Sequence, residues 1–401
     1  MIELFVGGHL FHPAALEWSH KKCSNGCCYC FANINNEERF SSDIKSPIRQ
    51  LYKGKTVTHT DKLLNMNHTI CISNRTDPFS RENYRDTLAL ATHLVTKKNS
   101  IFIQTKTGPG IQKFCDIYGD RKDVVFYITM TTINPEISKS IEPSAPLPDE
   151  RLAAAKQLYD RGYMVVIALN PLVESWMSKN DISLLTNKLK DIGILHICVE
   201  MLDMSPARLK KLSAKKRSML GDIILSDAQS NKNTKNRMYV REVVDILIDM
   251  GMIVAKKGMP FKTPFFDDVA VKLNVTYPVI QTFINHCMNT MKSPSLIKYA
   301  EYESVIAQGD IFNIVDNGNN IRSYLLRAGF PSWLENKDKV HSHKDLLRIT
   351  WNDKRVRTSI QRHCLFRVAQ RGGKNLLDDN GNIQLYYDGK PYLGGKGVVE
   401  L

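Results

Sequence analysis

The segment Cys23-Ser24-Asn25-Gly26-Cys27-Cys28-Tyr29-Cys30 puts four of the chain's nine cysteines on one short loop. Cys23, Cys27 and Cys30 are spaced C-x3-C-x2-C, with an aromatic residue before the last. Three thiolates so placed can hold three irons of a cubane cluster and leave the fourth iron open. A fourth protein ligand would make a plain electron-transfer site, whereas a vacant iron can bind and activate a small molecule. Gly26 lets the loop wrap tightly. Cys28 cannot join the same grip without displacing a neighbour and reads as non-ligating. The competing chemistry is zinc on Cys27 and Cys30, but structural zinc wants a second Cys or His pair, and His20 is the nearest candidate.

Polar residues recur downstream at the ends of apolar runs. Ile72-Ser73-Asn74-Arg75-Thr76-Asp77-Pro78-Phe79 ends one run, Ile103-Gln104-Thr105-Lys106-Thr107 the next, and Tyr127-Ile128-Thr129-Met130-Thr131-Thr132 a third. Ile141-Glu142-Pro143 follows, with Arg151 beyond it. Together with the cysteine spacing, this ordered set resembles the radical S-adenosylmethionine (radical SAM) superfamily, whose signature is C-x3-C-x-aromatic-C. Within it the set resembles the spore photoproduct lyase branch, which carries similar S-x-x-TDP, TK and EP-x(n)-R segments. The resemblance covers roughly residues 15–200, about half the chain.

That resemblance implies a 4Fe-4S cluster on Cys23, Cys27 and Cys30, with S-adenosyl-L-methionine chelated at the open iron. Reductive cleavage of SAM would yield a 5′-deoxyadenosyl radical that abstracts hydrogen from a substrate. Ser73 and Asn74 would contact the SAM methionine group, and Lys106 and Thr129 its carboxylate or ribose. The lyase returns a hydrogen atom to its product radical from a cysteine outside the cluster. Cys71 is the positional candidate for that catalytic role here, although its spacing to Asp77 is longer than the lyase pattern. A strand cysteine is also an ordinary small core residue. Glu142 and Arg151 have a structural alternative, pairing with each other or capping a helix.

The elements needed to position these residues are legible in the apolar pattern. Strands are expected at Thr69–Ser73, Ser100–Thr105, Val124–Thr129, Met164–Leu169 and Leu195–Glu200, each short and rich in Ile and Val. Helices are expected at Arg81–Lys97, Asp149–Arg161, Asp181–Asp191 and Tyr239–Met250, the last ended by Gly251. Such alternation means parallel strands with crossover helices, a barrel or an open α/β sheet. The resemblance selects a partial (β/α)6 TIM-type barrel, with its chemistry at the carboxyl ends of the strands. Ser226–Arg237, polar and Asn-rich, reads as a loop or linker. Beyond about Gly258 the alternation is lost. The expected division is a radical SAM core over 1–257 and, over 258–401, an α-rich C-terminal module with a small β-hairpin at Asp379-Asn380-Gly381 and Asp388-Gly389.

Charge speaks to partners. The chain has 401 residues, and its 55 Lys and Arg against 41 Asp and Glu leave +14, which favours a polyanion. Residues 268–284 have the spacing of a helix-turn-helix whose second helix would offer Tyr277 and Gln281 to the major groove. Lys354, Arg355, Arg357, Arg362, Arg367 and Arg371 follow in a run without an acid, suited to phosphates. Arg208, Lys210, Lys211, Lys215, Lys216 and Arg217 form another acid-free stretch. The longest apolar run, Tyr163–Leu169, falls far short of the ~18 residues of a membrane span. No basic-then-apolar leader opens the chain, and many cysteines without a disulfide framework suit a reducing, cytoplasmic setting.

The function expected is radical SAM chemistry on a nucleic-acid base, DNA favoured over RNA, in repair or modification. A low-potential donor such as flavodoxin or ferredoxin would supply the electron. Two alternatives stand beside it. One keeps the radical chemistry on a peptide or small metabolite, and the other is an iron–sulfur redox-sensing DNA-binding regulator.

Overall fold

The fold was read from a computed structural model. It describes residues 2–6, 14–18, 23–30, 70–72, 76–202, 204–230, 234–256, 268, 286–287, 289–291, 293–307, 348, 351–352, 366–389 and 398–401.

The first sheet has eight strands in chain order: β1 (Ile2–Val6), β2 (Ala14–Trp18), β3 (Ile70–Ile72), β4 (Ile101–Thr105), β5 (Val124–Thr129), β6 (Met164–Leu172), β7 (His196–Met201) and β8 (Ile253–Lys256). β1 pairs antiparallel with β2, and every later neighbour is parallel. Parallel strands covered on both faces need apolar residues at nearly every position. β5, Val-Val-Phe-Tyr-Ile-Thr, is buried throughout.

Alternate residues of these strands enter two different cores. Ile72, Ile103, Phe126, Ile128, Ile167 and Ile197 meet the helices. Cys71, Phe102, Val125, Tyr127, Val166, Ala168, Cys198 and Ala255 form a second cluster that contains no helical residue. Helices on one face, strand side chains on the other and strands in sequential order describe a singly wound, curved sheet. This is the α/β partial barrel expected from the sequence.

The helices between the strands begin and end for local reasons. α1 (Tyr84–Leu94) and α2 (Ile111–Tyr118) flank β4, and α3 (Pro135–Ile141) and α4 (Pro148–Asp160) follow β5. α3 is capped by Asn134, whose side chain accepts from Glu136 N at 2.9 Å and Ile137 N at 3.2 Å. α5 (Lys179–Ile192) carries a reciprocal Ser178–Asp181 capping box and ends at left-handed Gly193. Its buried residues, Ile182, Leu185, Thr186 and Leu189, recur at helical spacing.

After β7 come two five-residue helices, α6 (Pro206–Lys210) and α7 (Ala214–Ser218), then α8 (Gly221–Ser230) and α9 (Thr234–Asp249). The Ser226–Arg237 stretch is therefore largely helical rather than a linker. Its polarity serves the junction, where buried Asp227 accepts a hydrogen bond from Asn236 N at 2.9 Å. Gly251, with φ +80, follows α9 as expected.

A second sheet contains β9 (Ser295–Ile297), β10 (Phe366–Arg371), β11 (Lys374–Asn375), β12 (Leu385–Tyr387) and β13 (Val398–Glu400). Beside it lies α10 (Tyr299–Ala307), and its core gathers Trp351, Phe366, Val368, Leu385, Tyr387, Tyr299 and Tyr302. The turn at Asp379-Asn380-Gly381 is present, with Asp378 accepting from Asn380 N and Asn382 N at 2.9 Å. The expected hairpin turn thus belongs, among the described residues, to a five-stranded sheet. Among the described residues no helix is long and apolar enough to cross a membrane.

Candidate functional site

Asp77 is the first organiser of the site. It follows β3 and is almost wholly buried. One carboxylate oxygen accepts from Phe79 N at 3.0 Å and Thr105 Oγ1 at 2.7 Å. The other accepts from Lys106 N at 2.8 Å and Asn25 Nδ2 at 3.2 Å. A single carboxylate therefore joins the ends of β3 and β4 to the cysteine loop. Thr107, next along, holds φ at +68, a left-handed conformation rare for a β-branched residue. Its N–H donates to Thr105 Oγ1 at 2.8 Å.

The cysteine loop is tied down on two sides. Ser24 donates through N (3.2 Å) and Oγ (2.7 Å) to Glu82. Cys28 N donates to Ile141 O at 2.8 Å, and Asn25 O accepts from Ser144 N at 3.2 Å. Gly26 sits at φ +69, and a Cβ there would lie 3.1 Å from the Pro143 ring. The backbone conformation favours glycine there, and the Pro143 ring leaves a side chain little room.

Glu142, immediately after α3, is the second organiser. It accepts from the Tyr29 hydroxyl and from Arg151 Nη2, and Lys106 Nζ stands 3.7 Å from Oε1. Arg151 and Glu142 are essentially inaccessible to solvent. The guanidinium also donates to Pro146 O at 2.8 Å and Thr129 O at 3.0 Å, which brings the end of β5 into the network. Burial alone would raise the Glu142 pKa, but Arg151, Lys106 and the Tyr29 hydroxyl outweigh it and hold the carboxyl at about 2. Lys106 also lies 5.6 Å from the Tyr29 ring centroid, and that ring packs 5.6 Å from Trp176.

The three thiols Cys23, Cys27 and Cys30 share one electrostatic environment. Burial pushes the Cys27 thiol well above its ordinary range. Lys106 opposes this, and Glu142, Cys30 and Cys23 reinforce it. Cys23 is raised too, first by burial. Thiols must lose their protons to bind metal, and cationic irons would offset the repulsion among the resulting thiolates. Among the described residues no three His, Cys, Asp or Glu side chains gather tightly enough to hold one metal ion. A cubane asks for less, because each thiolate takes a different iron. The all-thiol donor set fits an iron–sulfur cluster. Cys28 packs among Ile141, Val173, Trp176 and Leu202, away from that role.

Lys106 and Thr129 are therefore brought to the cysteine loop, Thr129 through its carbonyl. Cys71 belongs to the inner strand cluster with Phe102, Tyr127 and Cys198, where two thiols and a tyrosine line the concave face. Ser73 and Asn74 lie outside the described residues, as do Tyr277, Gln281, Lys354, Arg355, Arg357 and Arg362. Arg367 on β10 pairs with Asp388 at 2.5 Å and lies over the Tyr386 ring at 5.2 Å, so it is held within its own sheet. Arg371, at the end of β10, is exposed. Asp77 stands in its sequence motif without a role of its own, Asn25 is not singled out there, and Tyr29 figures only as the aromatic residue of the cysteine spacing. The signal for Tyr29 is its place before the last cysteine.

No family model matches the chain, and no curated protein matches it. Among solved structures, it is similar to Streptococcus suis SuiB bound to S-adenosylmethionine, at 14% identity and TM-score 0.37, over 60% of this chain and 48% of that one. SuiB bound to precursor peptide SuiA matches at 15% and TM-score 0.41, over 65% and 52%. Spore photoproduct lyase complexed with dinucleoside spore photoproduct matches at 15% and TM-score 0.40, over 53% and 63%. The chain thus spans about half to three-fifths of these solved chains, and the likeness is loose in sequence and in shape.

Proposed function

We propose that this protein is a radical SAM enzyme acting on a nucleic-acid base, in DNA repair or base modification. The carrying observation is the thiol loop Cys23–Cys30, held against the carboxyl ends of parallel strands by Asp77 and Glu142. Parallel α/β sheets present their chemistry at that end. Cys23, Cys27 and Cys30 would hold a 4Fe-4S cluster, which with SAM bound supplies reductive cleavage to a 5′-deoxyadenosyl radical.

The chain's own residues have distinct tasks in this reading. Lys106 offers an ammonium beside the loop, and Glu142 and Arg151 fix its position from behind. A SAM carboxylate reaching Lys106 would find a cation already oriented. Thr129 would line the same strand end, and Ser73 and Asn74, next in sequence after β3, would contact the SAM methionine group. Cys71, on the inner face, would return a hydrogen atom from its S–H to the product radical and be left as a thiyl radical. The surplus of +14 and the cations Lys354, Arg355, Arg357, Arg362 and Arg371 would supply phosphate contacts. Residues 1–257 would form the catalytic unit and 258–401 a nucleic-acid-binding module, in a cytoplasmic protein served by reduced flavodoxin or ferredoxin.

The test is 5′-deoxyadenosine formation by the anaerobically reconstituted, reduced protein, with and without duplex DNA. Cleavage that rises with DNA and carries deuterium from labelled DNA into 5′-deoxyadenosine supports the reading. Cleavage indifferent to DNA moves the substrate to a peptide or metabolite. No cleavage by an iron-loaded protein contradicts the enzyme.

A further inference from the structure

The connection from β7 to α8 carries Arg208, Lys210, Lys211, Lys215, Lys216 and Arg217, with no Asp or Glu between Met204 and Leu220. It contains α6 and α7, each capped by a serine: Ser205 accepts from Arg208 N, and Ser213 from Lys216 N, both at 3.3 Å. Lys210, Lys211, Lys215 and Arg217 are exposed, and Arg208 and Lys216 are half-buried. Among the described residues no carboxylate pairs with Lys210, Lys211, Lys215, Lys216 or Arg217. Acid-free charge at this density is self-repelling and gains from an external anion.

Its position gives the charge a use. The segment follows the carboxyl end of a parallel strand, the side of the sheet that holds the cysteine loop. Leu209, Leu212 and Leu220 pack in the same cluster as Cys28 and Trp176, and Trp176 Nε1 donates to Met219 O at 2.9 Å. The apolar side of the segment is therefore pinned to the site while its cations face outward.

We propose that α6 and α7 form a phosphodiester-binding rim at the candidate active site, a nucleic-acid contact separate from the C-terminal basic run. Two five-residue helices, each about 7.5 Å long, offer cations over roughly two phosphate spacings apiece. A single bound phosphate would need converging donors, whereas these cations are strung along the chain as a polyanion's charges are. Chemistry on a base needs the strand held at the mouth of the site while the base is turned inward. This inference rests on the nucleic-acid reading above.

The test is binding of a short fluorescein-labelled DNA duplex to the full chain, by anisotropy across a salt series and without SAM. The variants are Lys215→Gln/Lys216→Gln/Arg217→Gln on α7 and Lys210→Gln/Lys211→Gln on α6. Lys156→Gln/Lys188→Gln, on exposed faces of α4 and α5, is the control. Each rim variant should weaken binding at least about tenfold near 0.1 M salt and reduce the salt slope by about 0.9 for each phosphate no longer neutralised. The control should leave both unchanged. Wild-type protein without salt-dependent DNA binding would overturn the rim together with the nucleic-acid substrate. Wild-type binding with its full slope kept in both rim variants would overturn the rim alone. If those variants instead slow reduction by reduced flavodoxin, the surface belongs to an acidic protein partner and the proposal fails.

Discussion

Glu142 shows how much of the site rests on one side chain. Its carboxylate is buried with Arg151, Lys106 and the Tyr29 hydroxyl, so removing its charge leaves two cations facing one another in a dry interior. Glu142→Gln should cost about 3–5 kcal/mol, measured by urea denaturation of the apo protein. A carboxyl held near 2 instead of 4.5 contributes stability that is complete above about pH 4.5 and fades as pH falls towards 2. The Gln variant should lack that acid-side loss, and an unchanged acid profile would contradict the role given to the carboxylate. Among the cysteines, Ala at 23, 27 or 30 should reduce iron uptake sharply, and Cys28→Ala should leave it near wild type, by iron and sulfide analysis. The cysteine triad is legible in the sequence because its signal lies within one loop. The Tyr29–Glu142–Arg151 network is less so: Tyr29 lies far from Glu142 in the chain, and only the Glu142–Arg151 pairing, nine residues apart, is foreseen there.

At the scale of elements, the same locality decides what can be read. β4, β5 and β6 announce themselves as β-branched runs, and α4 and α5 carry apolar residues at helical spacing below a Pro or Ser start. α2 escapes the sequence pattern because it is short and opens behind Gly108-Pro109-Gly110, which looks like a loop. That loop is nonetheless tightly specified. Gly108 has φ +150, and a Cβ there would come within 2.2 Å of the Phe79 carbonyl oxygen. Gly108→Ala should force apart the ends of β3 and β4 that Asp77 joins, at a cost of about 1–3 kcal/mol. Gly26→Ala should cost about 1–2 kcal/mol through its left-handed backbone and also lower iron occupancy. If both variants melt and load like wild type, the loop is not held as described. Ser226–Arg237 misleads for the converse reason: polar residues at a helix junction look like a linker until Asp227 is seen capping Asn236 N.

For the whole molecule, the partial barrel is readable because strand and helix patterns alternate with regular spacing, and its strand order follows the chain. The second sheet is not, apart from its turn at Asp379-Asn380-Gly381, because β9 pairs with β12 across a long separation in sequence. The two sheets bury separate cores, one around Phe126 and Leu185 and one around Trp351 and Leu385. Residues 1–257 alone should therefore keep an α/β circular dichroism spectrum and their iron, whereas an unfolded fragment would refute the division at 257. The central claim is that Cys23, Cys27 and Cys30 hold a cluster with one iron open to SAM. The most direct measurement is electron paramagnetic resonance of the anaerobically reconstituted, reduced full chain before and after SAM is added. The account predicts a reduced 4Fe-4S signal that shifts with SAM and is absent from the Cys23→Ala/Cys27→Ala/Cys30→Ala variant. A signal that survives in that variant, or one indifferent to SAM at full loading, would contradict it.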